Sequence, residues 1–74
     1  MKWIKWTNEE HILCSDEFSP LKTTIATVIL NDKNYNLWSI WINDLPWNEQ
    51  PLESKEINGL GNAKKEVLQF INNN

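Results

Sequence analysis

The fold of this chain is decided by residues 22–42, KTTIATVILNDKNYNLWSIWI. The first run, residues 22–30, is rich in β-branched side chains, which are restricted at χ1 and pack well on a pleated sheet. The second run, residues 35–42, is apolar and rich in aromatic residues. Two such runs around the Asn/Asp-rich segment 31–34 predict an antiparallel β-hairpin. That segment contains no glycine, so a four-residue type I turn is expected.

The rest of the chain adds strands before the hairpin and a helix after it. Residues 2–7 and 11–15 predict two more strands, and residues 52–57 fit either a short edge strand or an irregular segment. Asn62 is the predicted N-cap of a helix over residues 63–71, whose apolar residues share one face. The sequence therefore predicts an α+β fold, an antiparallel sheet of three to four strands with one C-terminal helix packed on one face.

The small size of the chain limits how it can be stabilised. The length of the chain predicts a single domain over residues 1–74. A domain of this size buries only about 60–65% of the surface that its unfolded form exposes. Cys14 is the only cysteine, so a disulfide within the chain is excluded. Each aromatic side chain buries about 150–250 Å², and the chain has five tryptophans. Aromatic packing or self-association is therefore the expected source of additional stability.

Composition also limits the compartment and the partners. The sequence has no apolar run near the roughly 20 residues of a membrane span, and no secretory signal pattern. A single cysteine fits a reducing compartment. We therefore expect a cytoplasmic protein that does not contact a membrane.

The charge pattern argues against general nucleic-acid binding. Ten acidic and seven basic residues give a net charge of −3, whereas nucleic-acid binders carry a basic stripe. One segment points the other way, because lysine and tryptophan alternate between Lys2 and Trp6. Single-strand binders combine such cations with aromatic rings on which bases stack. Single-stranded nucleic-acid binding through Lys2–Trp6 is therefore kept as an alternative.

Metal binding and catalysis have little support in the sequence. The candidate ligands His11, Cys14, Asp16 and Glu17 include one His and one Cys, whereas a structural zinc site takes four ligands, mostly Cys and His. On a strand, His11 and Cys14 would point to opposite faces, which also disfavours a catalytic Cys/His pair. We interpret Cys14 as a buried apolar group and His11 as a surface residue. We expect no cofactor and no enzymatic activity.

The predicted hairpin carries apolar residues on both faces, but one helix covers only one. The faces of residues 35–42 carry Trp38, Ile40 and Ile42 on one side, and Tyr35, Leu37 and Trp41 on the other. The second face must be covered by a loop, a second copy of the chain or a partner. The loop 45–47 is the candidate within the chain, because Leu-Pro-Trp could fold back as a lid.

Four tryptophans form two pairs with a spacing of three, Trp3/Trp6 and Trp38/Trp41. On a strand this spacing places one member of each pair on each face. We assign Trp6 and Trp38 to the core, with Ile40, Val67 and Ile71. The predicted partner-binding anchors are Trp3, Leu37 and Trp41 on the sheet and Trp47 in the loop. A register slip of one residue would exchange the two faces.

These features predict a non-enzymatic protein that acts by stoichiometric binding of a protein partner through an aromatic sheet face. In size and overall character the chain resembles the short single-domain proteins of phages and mobile elements, many of which inhibit host defence enzymes by binding them. The resemblance implies an inhibitor of a host protein, and it has no aligned motif that would assign site residues. Two alternatives remain: a structural homodimer and the single-stranded nucleic-acid binder.

Overall fold

The computed structural model describes residues 1–50 and 56–73, and within these residues it contains five strands and one α-helix. The elements are β1 (Lys2–Thr7), β2 (Glu10–Cys14), β3 (Thr24–Asp32), β4 (Leu37–Ile42), β5 (Ile57–Asn58) and α1 (Leu60–Asn72). A single 3-10 turn, Trp47–Glu49, follows β4. The predicted α+β class is confirmed, while the strand number exceeds the predicted three to four.

The sheet is an antiparallel meander in which the described strands lie in chain order, β1-β2-β3-β4-β5. Each strand therefore pairs with its neighbours in the sequence. β5 is short and pairs only with Leu37 and Trp38 of β4 among the described residues. Most of the segment 52–57 lies outside the described residues, and its last residue, Ile57, is part of β5.

The turn of the central hairpin lies two residues later than predicted. β3 continues to Asp32, whose carboxylate accepts hydrogen bonds from the backbone N–H of Asn34 (2.9 Å) and Tyr35 (3.2 Å). Asn36 has φ of 55°, a left-handed conformation that asparagine tolerates better than most residues. Tyr35 is therefore an exposed turn residue, and its predicted place on a strand face is wrong.

The helix begins at Leu60, three residues before the predicted start. Gly59 turns the chain directly from β5 into α1 with φ of 92°, a conformation that side chains with a Cβ rarely adopt. The predicted N-cap at Asn62 is wrong, because Asn62 lies in the first turn and its side-chain amide donates to the Asn58 carbonyl (2.9 Å). The predicted apolar stripe is present, with Ala63 and Val67 buried.

α1 packs against β3, β4 and β5 on one face of the sheet. The buried residues between them form the helix-side core, which consists of Leu13, Ala26, Val28, Trp38, Ile40, Ile42, Ala63 and Val67. Ile71 packs against this cluster as a partly buried residue, in agreement with the predicted core. The opposite face of the sheet, which α1 does not cover, is called the open face below.

One tryptophan pair has the predicted orientation and the other is reversed. Trp38 is 5% exposed in the helix-side core, and Trp41 is 40% exposed on the open face. Trp3 instead packs against the helix-side core, whereas Trp6 is 45% exposed. The register decides this, because Trp3 pairs with Leu13 of the core and the β1–β2 pairing is interrupted around Trp6.

The connection between β2 and β3 covers part of the open face. Ile12 and Cys14 point away from α1 by strand alternation, yet they are 2% and 0% exposed. We infer that residues 15–23 supply this cover, because residues 19–22 lie beside Trp6 on this face; the loop is held by internal hydrogen bonds, including one from the Thr23 hydroxyl to the Ser19 carbonyl (2.9 Å). Leu45 of the predicted lid packs against the helix-side core instead. The side chain of Trp47 lies outside the described residues.

Candidate functional site

The open face leaves apolar side chains exposed beside the covering loop. Trp41 is 40% exposed, Ile29 39%, Trp6 45% and Leu21 65%, and Leu37 is half-buried at the turn end of β4. These five residues, Trp6, Leu21, Ile29, Leu37 and Trp41, are called the open-face patch. A folded monomer gains nothing from leaving large apolar groups in water, so this patch is the part of the described surface best suited to contact another molecule.

One side of the patch is formed by the β3–β4 hairpin. Trp41 lies directly opposite Thr27, and Ile29 lies two residues further along β3, opposite Ser39. The Asn31 side-chain amide donates to the Ser39 hydroxyl beside them. Trp41 and Ile29 are diagonal neighbours on one face, about 7–8 Å apart, within reach of an aromatic side chain, so they belong to one surface. The backbone of that surface is held by the hydrogen-bonded pairing of β3 and β4.

A cavity of about 260 Å³ lies at the Trp6 side of the patch. It is lined by Trp6 of β1 and by the covering loop at Ser19, Pro20, Leu21 and Lys22. The indole, the proline ring and the leucine side chain give it apolar walls, and Lys22 adds one positive charge. A cavity of this kind takes a single apolar side chain, which is how anchor residues fill pockets in protein interfaces.

The structure separates the four predicted anchors. Leu37 and Trp41 lie on the open face by strand alternation, as predicted. Trp3 lies on the other face, where the Lys64 ammonium is 5.1 Å from the centre of its ring, so the prediction that it is an outward anchor on this face is wrong. The role of Trp47 stays a prediction, because its side chain lies outside the described residues.

Sequence reasoning missed three members of the patch. Ile29 carried a signal, since β3 has apolar residues on both faces. Leu21 carried none, because a leucine in a loop gives no indication of the direction in which the loop folds. The core prediction for Trp6 is wrong because alternation puts Trp3 and Trp6 on opposite faces without deciding which face meets α1, and Trp3 is the residue that pairs with Leu13 of the core.

His11 is buried, so its predicted surface position is wrong. It is 8% exposed, and its ring packs edge-to-face on Trp38 with centroids 5.7 Å apart and planes at 69°. Burial lowers the pKa of His11 below its usual value, and the positive charges of Lys64 and Lys5 lower it further. The imidazole is therefore held in its neutral form more strongly than a free histidine.

This lowered pKa makes stability depend on pH. Because the unfolded chain, with a histidine pKa near 6.5, binds the proton more tightly, the contribution of neutral His11 is fully present above that value. It is lost as the pH falls through the lower pKa of the folded state. We expect the urea concentration at the unfolding midpoint to decrease when the pH is lowered from about 7.5 to about 5.5. Both pH values lie above the range where most carboxylates titrate. His11→Gln should show a smaller fall, and an equal fall in both proteins would contradict the assignment.

Cys14 is fully buried and free, as predicted. Its thiol lies 3.5 Å from the Lys2 carbonyl oxygen, on the face of β2 opposite to His11. Among residues 1–50 and 56–73, no group of three or more His, Cys, Asp and Glu side chains is placed to hold a metal ion. In the same residues, no helix combines the length and the apolar character needed to span a bilayer.

Comparisons of the chain with protein-family models, with curated proteins and with solved structures found no match. The fold and the surface define a small α+β protein with an exposed aromatic sheet face.

Proposed function

We propose that this protein acts by stoichiometric binding of a protein partner through the open-face patch. The observation that carries the proposal is the contrast within one strand: Trp38 is 5% exposed and Trp41 40% exposed. The helix-side core already supplies the fold with a buried tryptophan, so the exposure of Trp41 is not needed for folding. Exposed tryptophans at the centre of an apolar patch are typical of binding hot spots.

The geometry of the patch favours a folded protein as the partner. Trp41 and Ile29 present a surface on paired strands, whereas Trp6, Pro20 and Leu21 enclose a cavity for one apolar side chain. Lys22 beside the cavity favours an acidic residue next to that side chain. The partner would therefore present an apolar anchor flanked by an acidic residue, set in a broad apolar surface.

We further propose that this binding inhibits the partner. A protein can inhibit another protein by covering the surface that the other needs. The short phage and mobile-element proteins that the chain resembles in size and character act on host enzymes in this way. A host protein is therefore the proposed target.

The positions of the two tryptophans in residues 2–6 argue against the nucleic-acid alternative. Trp3 packs against the helix-side core, and Trp6 lines the cavity on the open face. Two rings on opposite sides of a sheet do not form one platform for successive bases. In addition, Lys64 already lies over the Trp3 ring, where a base would stack.

Trp41→Ala is expected to abolish partner binding and to leave the fold intact. Because Trp41 is the largest exposed side chain that β4 contributes to the patch, we expect affinity to fall by about 30-fold or more, corresponding to about 2 kcal/mol or more for a hot spot. The measurement is a pull-down of tagged protein from lysate of the natural host, with and without nuclease, followed by titration of the recovered partner. Tyr35→Ala is the matched control, since Tyr35 is 70% exposed in the hairpin turn, outside the patch.

Three outcomes would contradict the proposal. A partner retained equally by wild type and Trp41→Ala would place the interface elsewhere. Recovery lost on nuclease treatment would favour the nucleic-acid alternative. A doubled mass in solution that Trp41→Ala returns to the monomer value, with no other protein recovered, would show that the patch forms a homodimer.

A further inference from the structure

Three basic side chains gather on the face of the sheet opposite to the open-face patch. Lys5 of β1 and His11 of β2 are direct cross-strand partners, so their side chains lie on the same face. Lys64, in the second turn of α1, reaches the same place, because its ammonium is 5.1 Å from the centre of the Trp3 ring. Trp3 precedes Lys5 by two residues on β1 and therefore shares this face.

The position of α1 explains why this place is accessible. The helix packs on β3, β4 and β5, so the β1–β2 edge extends beyond it on the same face. Trp3 packs against the helix-side core beside the helix. Lys5 is exposed and Lys64 half-buried above this edge, whereas His11 lies deeper, against Trp38.

Among residues 1–50 and 56–73, no carboxylate forms an ion pair with the lysines of this cluster. Lys5 and Lys64 are both close enough to His11 to lower its pKa. In the described part of the chain, neither lysine forms an ion pair, and the ion pair found there joins Lys2 to Glu17. The cluster is therefore a local positive region on a protein whose net charge is −3.

We propose that Lys5, His11 and Lys64 form a binding site for an oxyanion of the phosphate type. Two ammonium groups supply charge and several N–H donors, and a neutral imidazole supplies one more N–H donor. The three groups come from β1, β2 and α1, so the fold brings them together before any ligand binds. The site lies on the face opposite to the open-face patch, and it does not depend on the proposed partner binding.

An anion in this site would oppose the effect of the two lysine charges on the pKa of His11. At present two positive charges oppose protonation of the ring, and a bound phosphate would offset them. Binding should therefore raise the pKa of His11, and by reciprocity the affinity for phosphate should increase as His11 becomes protonated.

The test is an NMR titration of the imidazole protons, which needs no assignment because the chain has a single histidine. Inorganic phosphate is added up to about 50 mM at constant ionic strength with chloride, well above a dissociation constant of about 1 mM. We expect a saturable shift of the His11 signals and a higher pKa in phosphate than in chloride. Lys5→Gln and Lys64→Gln should each weaken binding about tenfold, since each replaces the ammonium group with a shorter, uncharged polar side chain.

The matched control is Lys65→Gln, which removes an exposed lysine next to Lys64 that is outside the cluster. The proposal is overturned if phosphate produces no saturable shift, or if Lys65→Gln weakens binding as much as the two cluster variants. An oligothymidylate titration then distinguishes the source of the phosphate. If oligothymidylate saturates the site at a far lower concentration than inorganic phosphate does, the natural ligand is a nucleic-acid backbone. If it binds equally or more weakly than inorganic phosphate, the natural ligand is a free phosphate compound.

Discussion

Trp38→Ala is expected to lower the free energy of unfolding by about 3–5 kcal/mol, whereas Trp41→Ala should lower it by less than about 1 kcal/mol. Trp38 is 5% exposed, packs against the His11 ring, and donates a hydrogen bond from its indole N–H to the Asn36 side-chain oxygen (2.7 Å). Its removal leaves a cavity in a small core and an unpaired acceptor. A domain of this size has only about 3–5 kcal/mol of net stability, so most of the Trp38→Ala protein should be unfolded.

The two variants differ only in the face of β4 that they affect, which makes them matched controls for each other. Urea unfolding followed by far-UV circular dichroism measures both, and it does not depend on the tryptophan fluorescence that the substitutions change. Trp38→Phe should fall between wild type and Trp38→Ala, because it keeps an aromatic ring in the core. If Trp41→Ala costs as much as Trp38→Ala, Trp41 is covered in solution and the open-face patch is not available to a partner.

Gln50→Ala is expected to lower the free energy of unfolding by about 2–4 kcal/mol. Gln50 is a buried polar residue, 7% exposed, and its amide makes three hydrogen bonds to the backbone. The side-chain oxygen accepts from the Ile42 N–H (2.7 Å), and the amide nitrogen donates to the carbonyls of Ile42 (2.7 Å) and Leu45 (2.9 Å). The side chain thus pairs with the end of β4 as a neighbouring strand would, and its loss leaves these backbone groups unpaired.

Gln50→Glu separates hydrogen bonding from packing, because it keeps the size of the side chain. At neutral pH its carboxylate would face the carbonyl oxygens of Ile42 and Leu45, so it should destabilise more than Gln50→Ala. Protonation restores one donor, and the difference between the two variants should shrink as the pH falls toward about 4.3. Glu49→Gln, at an exposed neighbouring residue, is the control. Equal stability of Gln50→Glu and wild type at neutral pH would contradict this account of Gln50.

The stability predictions and the binding proposal support each other. The residues expected to be most important for stability, Trp38 and Gln50, lie on the helix side of the sheet or at the end of β4. Trp41 and Ile29 lie on the open face. Substitutions of the open-face patch should therefore change binding with little effect on the fold, which is the condition for an informative binding experiment.

Local sequence patterns were sufficient to predict the features that lie within one regular element. β-Branched and aromatic runs around an Asn/Asp-rich turn were enough for the central hairpin, and alternation within β4 placed Trp38 inside and Trp41 outside. The helical spacing of Ala63 and Val67 was enough for the buried stripe of α1. These patterns are readable because each residue's direction follows from its immediate neighbours within one regular element.

Features that depend on contacts between different elements could not be predicted from the sequence and follow from the assembled fold. The orientation of Trp3 and Trp6 follows from the pairing of β1 with Leu13 of β2 and from the interruption in that pairing. The burial of Ile12, the hydrogen bonds of the Gln50 amide at the end of β4, and the position of Lys64 over the Trp3 ring depend on residues that are separated in the sequence. No local pattern encodes these contacts, because their energy depends on burial and register that exist only once the sheet and helix have assembled.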